Sequence, residues 1–595
     1  MPETEVERQP ELYFCMVRAI GTDLETVENS LTRKLLEANF VPKKIKLSAE
    51  IGKQALIQEL VQGQSNEYER YDGLMTAGDL LRSCSGRPDA AAILAMEAIR
   101  VERPKLRAVL VERKCRGIAF ILSSLMHPAE VRALRDAYGS RVFVISAYSH
   151  TESRRRRLRD SLTPAAVDLN RDLNELVDNL MARDRGRGYD SDALLSRVID
   201  IAEHKILSID KTFDLADYFV DADSPPEQID SDAERLLSLV LSSPQHTPTK
   251  VEMGMAHAYS ARLRSSDLSR QVGAAICDNE GNVLVTGTNE VPKWGGGQYW
   301  VDDDLPVTRD IELRYDTSDR MRRQIFADLV GRMFSDPSWL LDAVDAGTTA
   351  DSNESEGVTA DVNPDSEAAE SPRRSGREQI EELLSRADLE VAIDGALSTT
   401  TVRGAQLFDV VEYGRAAHAE MAAICSAALR GVSIKDSTLY CTTFPCHVCA
   451  ALIVAAGVVR VVYIEPYPKS RAPEMFPDSI ALAHQEESTD GRVVFAPFMG
   501  VAPPRHADLF SWSPKKLDDL QPKVEKVLTG DIQEWSLKSG AVRHTLRMGR
   551  GDLADDQQAA VENHEKFLID DFSEQLSSVE DRYISRIRQY RRTTG

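Results

Sequence analysis

At 595 residues the chain is long enough for about three to four domains. It is 42% hydrophobic, enough for sizeable cores, yet holds no run of roughly 18 uncharged apolar residues that could cross a membrane. Its formal charge of −23 sets up a net field that repels polyanions, which argues against the basic surface that grips duplex nucleic acid and leaves only a local groove for such a role.

The start, MPETEVERQP, is acidic and polar and does not look like a signal peptide. Six of the eight cysteines (Cys15, Cys84, Cys115, Cys277, Cys425 and Cys441) stand singly, as free thiols do in a reducing cytoplasm, so a cytoplasmic protein is expected. LYFCMV (12–17) reads as a buried strand, followed by Gly21 and a helix from about Asp23 to Asn39. LRAVLV (106–111), GIAFIL (117–122) and RVFVISAY (141–148) are further apolar, strand-like runs, with helical spacing in HPAEVRALRDAYG (127–139). Such alternation predicts a parallel α/β sheet. SRRRRLRD (153–160) is a basic cluster inside this domain, which is taken as residues 1–225. Turn-rich stretches on either side of a short helix make 226–250 a linker.

A second α/β domain is expected over 251–515, opening with the helix VEMGMAHAYSARLRS and the hairpin QVGAAICDNEGNVLVTGTNE (271–290). Residues 345–372 are acidic, small and poor in aromatics, and read as a disordered insertion. REQIEELLSRADL (377–389) is helix-like, and STLYCTT (437–443) and RVVYIE (460–465) are strands. Residues 516–595 read as a charged, helical extension.

RAAHAEMAAICSA (415–427) places His418 and Glu420 on an apolar, helix-like stretch, and TTFPCHVCAALIVAAG (442–457) places Cys446 and Cys449 three apart where Pro445 introduces a helix. Two thiolates on one helix face and one imidazole make three zinc ligands, leaving the fourth tetrahedral position for water, as in catalytic rather than structural zinc sites. The metal brings its water's pKa towards 7, and Glu420 is placed to shuttle the proton without ligating. Taken singly, His418 would be an ordinary core histidine and the C-x-x-C pair a redox pair or half a structural zinc knot. No second C-x-x-C exists to complete such a knot, and His447, between the cysteines, reads as a bystander. Jointly they form the H-x-E…P-C-x-x-C pattern of zinc-dependent base deaminases.

Residues 252–300 and 405–515 resemble the deoxycytidylate deaminases of the cytidine-deaminase superfamily, through SRQVGAAICDNEGNVLVTGTNEVP, HAEMAAI and LYCTTFPCHVCAALIVAAGVVRVVY. With AIGTDL opening an N-terminal α/β domain and YIEPYPKS after the core strand, the layout resembles bacterial antiphage deoxycytidine-nucleotide deaminases. The resemblance implies an N-terminal P-loop kinase-like domain, an α/β/α cytidine-deaminase-like domain and a helical tail. It also implies one zinc per chain and conversion of dCTP or dCMP to dUTP or dUMP, draining a pool that phage replication needs. Hydrolytic attack falls on C4 of cytosine, with Glu420 passing the proton to N3 and then to the departing amine. Asn289 would hydrogen-bond the nucleoside or simply occupy a turn, and Arg270 and Lys469 are the best-placed cations for the phosphates. A homo-oligomer is expected. An RNA or single-stranded DNA base deaminase uses the same chemistry but needs a basic, aromatic strand-binding groove. A non-enzymatic zinc scaffold is the third class of function that the motif allows.

The stretch VRAIGTDLETV sits where a phosphate-binding loop would, but the lysine position of G-x-x-x-x-G-K-[ST] holds Thr22 and the Ser/Thr position Asp23. A regulatory domain that does not hydrolyse nucleotide is the expectation. Gly21, Thr22 and Asp23 open a helix whose amides could hold an anion. The basic cluster could serve the same effector, or an inhibitory RNA or protein, or simply form a solvated helix face.

Overall fold

The computed structural model describes residues 10–54, 66–185, 208–241, 246–303, 308–335, 389–398, 413–464, 470–482, 491–511 and 561–577. The chain divides into two compact units. The first is Met1–Ser265, Val272–Thr288 and His418–Gly595, and the second is Ser266–Gln271 with Asn289–Ala417.

The first unit is mixed α/β, built on two sheets rich in parallel pairs. Strand β1 (Glu11–Arg18) is buried along nearly its whole length, as a central parallel strand covered on both faces should be. Its side chains alternate. Tyr13, Cys15 and Val17 enter one apolar core, and Leu12, Phe14 and Met16 enter another on the opposite face. Each such fully buried side chain contributes roughly 1.5–3 kcal/mol. Then follow α1 (Leu24–Glu37), β2 (Phe40–Lys46), α2 (Ala90–Arg113), β3 (Gly117–Leu125), β4 (Val142–Tyr148), α3 (Thr151–Leu169), α4 (Leu173–Asp184), β5 (Tyr218–Asp221) and α5 (Pro226–Val240). The strands lie in the order β2-β3-β1-β4-β5, all parallel.

The run LRAVLV (106–111) is not a strand. It forms the last turns of α2, whose start, AAAILAM, is buried. Val111 is 71% exposed while Leu110 is buried, so the run is one face of a helix. A short apolar run cannot be told from a helix segment by periodicity, and the long helical pattern upstream decides it. The stretch 226–250 carries α5, which pairs with α1 through Lys34 and Glu234 at 2.9 Å and through Arg33 and Asp230.

The basic cluster 153–160 lies on α3. Arg154 is fully buried and donates to the Ser149 carbonyl at 3.2 Å, and Arg157 pairs with Asp223 at 2.7 Å. These two arginines are structural members of the domain rather than a solvated face. Helix 561–577 also docks on this half. Arg103 reaches Glu565 with two bonds of 2.7 and 2.8 Å and Glu11 at 3.0 Å, and Ile569, Phe572 and Leu576 are buried in the same core. The rest of 516–595 lies outside the described residues.

The second sheet begins with α6 (Lys250–Arg262), β6 (Gly273–Cys277) and β7 (Val283–Thr288). It continues with α7 (Ala419–Arg430), β8 (Thr438–Cys441), α8 (His447–Ala455), β9 (Arg460–Tyr463), β10 (Ile480–Leu482) and β11 (Val493–Pro497). Its order is β10-β11-β9-β8-β6-β7, with β6 antiparallel to both of its neighbours and the other pairs parallel. The period of two sorts its faces. Ala274, Ile276, Leu439, Cys441, Val461 and Tyr463 point towards α7 and α8, while Ala275, Cys277, Tyr440 and Val462 join the core of the N-terminal half. The last strand, β12 (Gly500–Val501), leaves this sheet and pairs antiparallel with β5 of the first.

The second unit contains helices Asp310–Leu313, Thr317–Ser335 and Leu389–Ser398. Glu290 and Ala417 form a bridge at its ends. The acidic stretch 345–372 and the helix-like 377–388 lie outside the described residues. Among the described residues no helix is long and apolar enough to cross a membrane.

Candidate metal centre and catalytic site

Helix α7 reaches the second sheet because Gly287 has no side chain. A Cβ there would stand 2.1 Å from the Ala419 carbonyl oxygen and 2.4 Å from the Ala423 nitrogen, distances no packed atoms tolerate. The close approach brings the first turn of α7 to the carboxyl end of β7, which pairs with the amino end of β6, itself paired with the carboxyl end of β8. His418 is not inside the helix, as its apolar surroundings suggest, but is the N-cap residue, with extended backbone at φ −64° and ψ 155°. Cys446 is likewise the N-cap of α8, and its Sγ accepts the Cys449 amide at 3.5 Å.

The two helix starts bring three ligand atoms together. His418 Nδ1 lies 3.2 Å from Cys446 Sγ and 3.4 Å from Cys449 Sγ, and all three atoms fall within 4.8 Å of one another. Zinc–sulfur bonds of about 2.3 Å and a zinc–nitrogen bond of about 2.0 Å at tetrahedral angles put such atoms about 3.5 Å apart. The donor set and its spacing therefore fit zinc. The positive ends of two helix dipoles meet here and favour thiolate. The Cys446 thiol is held well below its ordinary range by the hydrogen bond from Cys449 and by His418. Cys449 is pushed up, first by its bond to Cys446 and then by burial. Metal binding displaces any proton that the two thiols hold. His447 is not part of the ligand group.

Glu420 sits in the first turn of α7 and is 2% exposed. Burial raises its pKa, and the neighbouring His418 opposes that rise. The Cys441 thiol, at the end of β8, hydrogen-bonds its carboxyl group. The turn before Cys446 is anchored by Phe444, whose ring stands edge-on to Tyr463 at 4.6 Å and 5.4 Å from Phe495. Neither Cys441 nor Phe444 is singled out by the sequence. The signal that could have found Cys441 is its parity on β8, which aims it at the same face as α7.

In the second unit Asn289 and Arg270 come together. The Asn289 side-chain amide donates to the Arg270 carbonyl oxygen at 2.7 Å, with Asn289 buried and Arg270 exposed. Lys469 lies outside the described residues.

At the N-terminal loop, Asp23 is the N-cap of α1 and accepts from the Thr26 amide at 3.2 Å and the Thr26 hydroxyl at 2.7 Å. The Ile20 amide donates to the buried Asp184 carboxylate at 2.9 Å. Thr22 is buried, and the Gly21 carbonyl accepts from Arg157 at 3.4 Å. Two carboxylates therefore already occupy loop donors that a phosphate would need.

Residues 374–465, which contain His418, Glu420, Cys446 and Cys449, match the family model described as the cytidine and deoxycytidylate deaminase zinc-binding region. Over 54 residues, 9% of this chain, the sequence is 44% identical to the deoxycytidylate deaminases of Enterobacteria phages T2 and T4, covering 29% and 28% of those proteins. Over 102 residues, 16% of this chain, it is 30% identical to a "Probable deoxycytidylate deaminase" of Drosophila melanogaster, covering 49% of that protein. The chain thus spans less than half the length of each of these curated relatives. The solved structure of the dCMP deaminase from cyanophage S-TIM5 in apo form aligns with 42% of this chain and 99% of its own, at 16% identity and a TM-score of 0.18.

Proposed function

We propose that this chain is a zinc-dependent hydrolase that deaminates deoxycytidine nucleotides, converting dCTP, dCMP or both to the deoxyuridine nucleotide and ammonia. The observation that carries the reading is the His418–Cys446–Cys449 group beside the buried Glu420, inside the stretch with deoxycytidylate-deaminase homology. Zinc held there supplies Lewis acidity and a water activated near neutral pH. Glu420, its pKa raised by burial, moves one proton from the water to ring N3 and a second from the hydroxyl added at C4 to the departing amine. Cys441 fixes the carboxyl group's orientation. Asn289 positions the nucleoside, and Arg270 and Lys469 meet the phosphates.

Depletion of the dCTP pool, and with it a role in antiphage defence, follows from this substrate choice together with the chain's layout. The assembly is a homo-oligomer. The N-terminal half regulates, through an RNA, protein or nucleotide effector, and does not hydrolyse nucleotide. In support, Thr22 stands at the lysine position, and Asp184 and Asp23 hold the loop's donors.

The test is a panel of dCTP, dCMP, CTP and a single-stranded oligonucleotide, assayed for ammonia release with zinc measured on the same sample. Ammonia from the deoxycytidine nucleotides alone is expected. Zinc-filled protein that releases none from any cytosine compound would leave a metal scaffold instead, and release from the oligonucleotide alone would make it a base editor.

A further inference from the structure

The buried carboxylate of Glu252, in the first turn of α6, is fully shielded from solvent and accepts four hydrogen bonds. Arg235 of α5 gives two, at 2.7 and 2.8 Å, the Thr249 amide one at 2.7 Å, and the Val501 amide of β12 one at 2.8 Å. One side chain therefore ties together a helix of the N-terminal half, the first helix of the second sheet and the strand that crosses between them. Gly500 makes room for it. Its φ is +113°, and a Cβ there would lie 2.6 Å from Glu252 Oε1.

The crossing strand is short. Val493–Pro497 pairs with β9 in the second sheet, and Gly500–Val501 pairs with β5 in the first, leaving only Phe498 and Met499 between. At about 3.3 Å per residue the link has under about 10 Å of contour. It is also fixed on both sides. The Phe498 amide donates to the Tyr463 carbonyl at 2.7 Å, its ring stands edge-on to Phe219 of β5 at 5.6 Å, and the Ala502 amide donates to the Asp217 carbonyl at 3.0 Å. At its other end Phe495 touches Phe444, two residues before Cys446.

We propose that residues 493–502, locked by Glu252, are a mechanical coupler through which the edge of the N-terminal sheet sets the geometry of the cysteine turn. A shift of β5 either breaks its hydrogen bonds to β12 or moves Phe495 and Tyr463, the two rings that hold Phe444. Any signal received by the N-terminal half then has a physical route to the metal ligands. The coupling uses the three-ligand group as a reporter and does not depend on which substrate is deaminated.

The experiment uses the zinc-loaded full chain and the variant Glu252→Gln, which keeps shape but cannot accept all four donors. Amide exchange is followed at Tyr218–Asp221 and Val501, and zinc release to a chromogenic chelator is timed. Loss of protection at that edge together with zinc release at least tenfold faster is expected. Phe498→Leu, a milder change that stays apolar but loses the edge-on contact with Phe219, should move both readouts in the same direction by a few-fold, and serves if the first variant does not fold. Glu565→Gln, which weakens the N-terminal half away from the coupler, should leave zinc release unchanged. Zinc release at the wild-type rate in a variant whose β5 edge is unprotected would overturn the proposal. So would equal acceleration by Glu565→Gln, or no change in either readout with Glu252→Gln. Wild-type protein that holds no zinc would sink the metal assignment instead, and the coupling would then be decided by exchange at Arg460–Tyr463.

Discussion

Both sheets have helix N-termini beside the ends of their strands, and they put them to opposite uses. At the second sheet the N-caps of α7 and α8 are His418 and Cys446, and His418 Nδ1 lies 3.2 Å from Cys446 Sγ and 3.4 Å from Cys449 Sγ. At the first sheet the cap of α1 is Asp23, which turns back onto Thr26, and the loop amide of Ile20 is taken by Asp184. A helix start favours negative charge in either case. What differs is whether the chain leaves that charge exposed to a metal or neutralises the amides with its own carboxylates. The second arrangement stabilises a fold; the first groups donor atoms whose spacing fits a metal ion.

The contrast can be attacked at its strongest point. Cys446→Ser should remove all bound zinc and all activity, with a lowered melting temperature because ligand assembly is coupled to folding. Metal analysis that finds a full zinc complement would erase the distinction between the two helix starts. Glu420→Gln should keep the zinc and lose about 10²–10⁴ in kcat, and a drop below tenfold in steady-state assays would remove Glu420 from the chemistry. On the other sheet, Glu565→Gln should cost about 3 kcal/mol, since it takes one of two carboxylates from the buried Arg103. Unchanged chemical unfolding would mean that this charge cluster is not needed. The smallest effect is expected from Asp23→Ala, about 1 kcal/mol for a lost cap. Millimolar phosphate should not raise the melting temperature of the wild type by binding at this loop. A rise that Asp23→Ala enlarges would show an anion site where carboxylates now sit.

The grouping of His418, Cys446 and Cys449 was legible in the sequence because its information is local. Two short stretches, each with its ligands within three residues, carry the spacing, and the helix–strand–helix order brings them together. The all-buried β1 and the hairpin of β6 and β7 were legible for a similar reason, since continuous apolar runs and turn residues act over a few positions. The misreading of LRAVLV came from the same locality, as five apolar residues out of six fit either period and the deciding helix lies upstream. Arg154 was hidden because a basic run looks solvated until its partners are known. Glu252 and Glu565 were hidden by distance, for Val501 and Arg103 lie 249 and 462 residues away from them. No periodicity reports a bond of that span.

The crossing of β12 into the first sheet bears on how the molecule can be dissected. A cut near residue 245 looks natural from the turn-rich sequence, yet the excised half that carries the three-ligand group would hold Gly500–Val501 as an unpaired strand edge and Glu252 as a buried anion without Arg235. Bare edges recruit other chains, and an uncompensated carboxylate in an apolar core favours opening. The N-terminal half made alone would have the matching defect at β5. Separate expression of the two halves should therefore yield aggregates, whereas mixing them during refolding offers each the strand or edge it lacks and makes the pair a system for complementation.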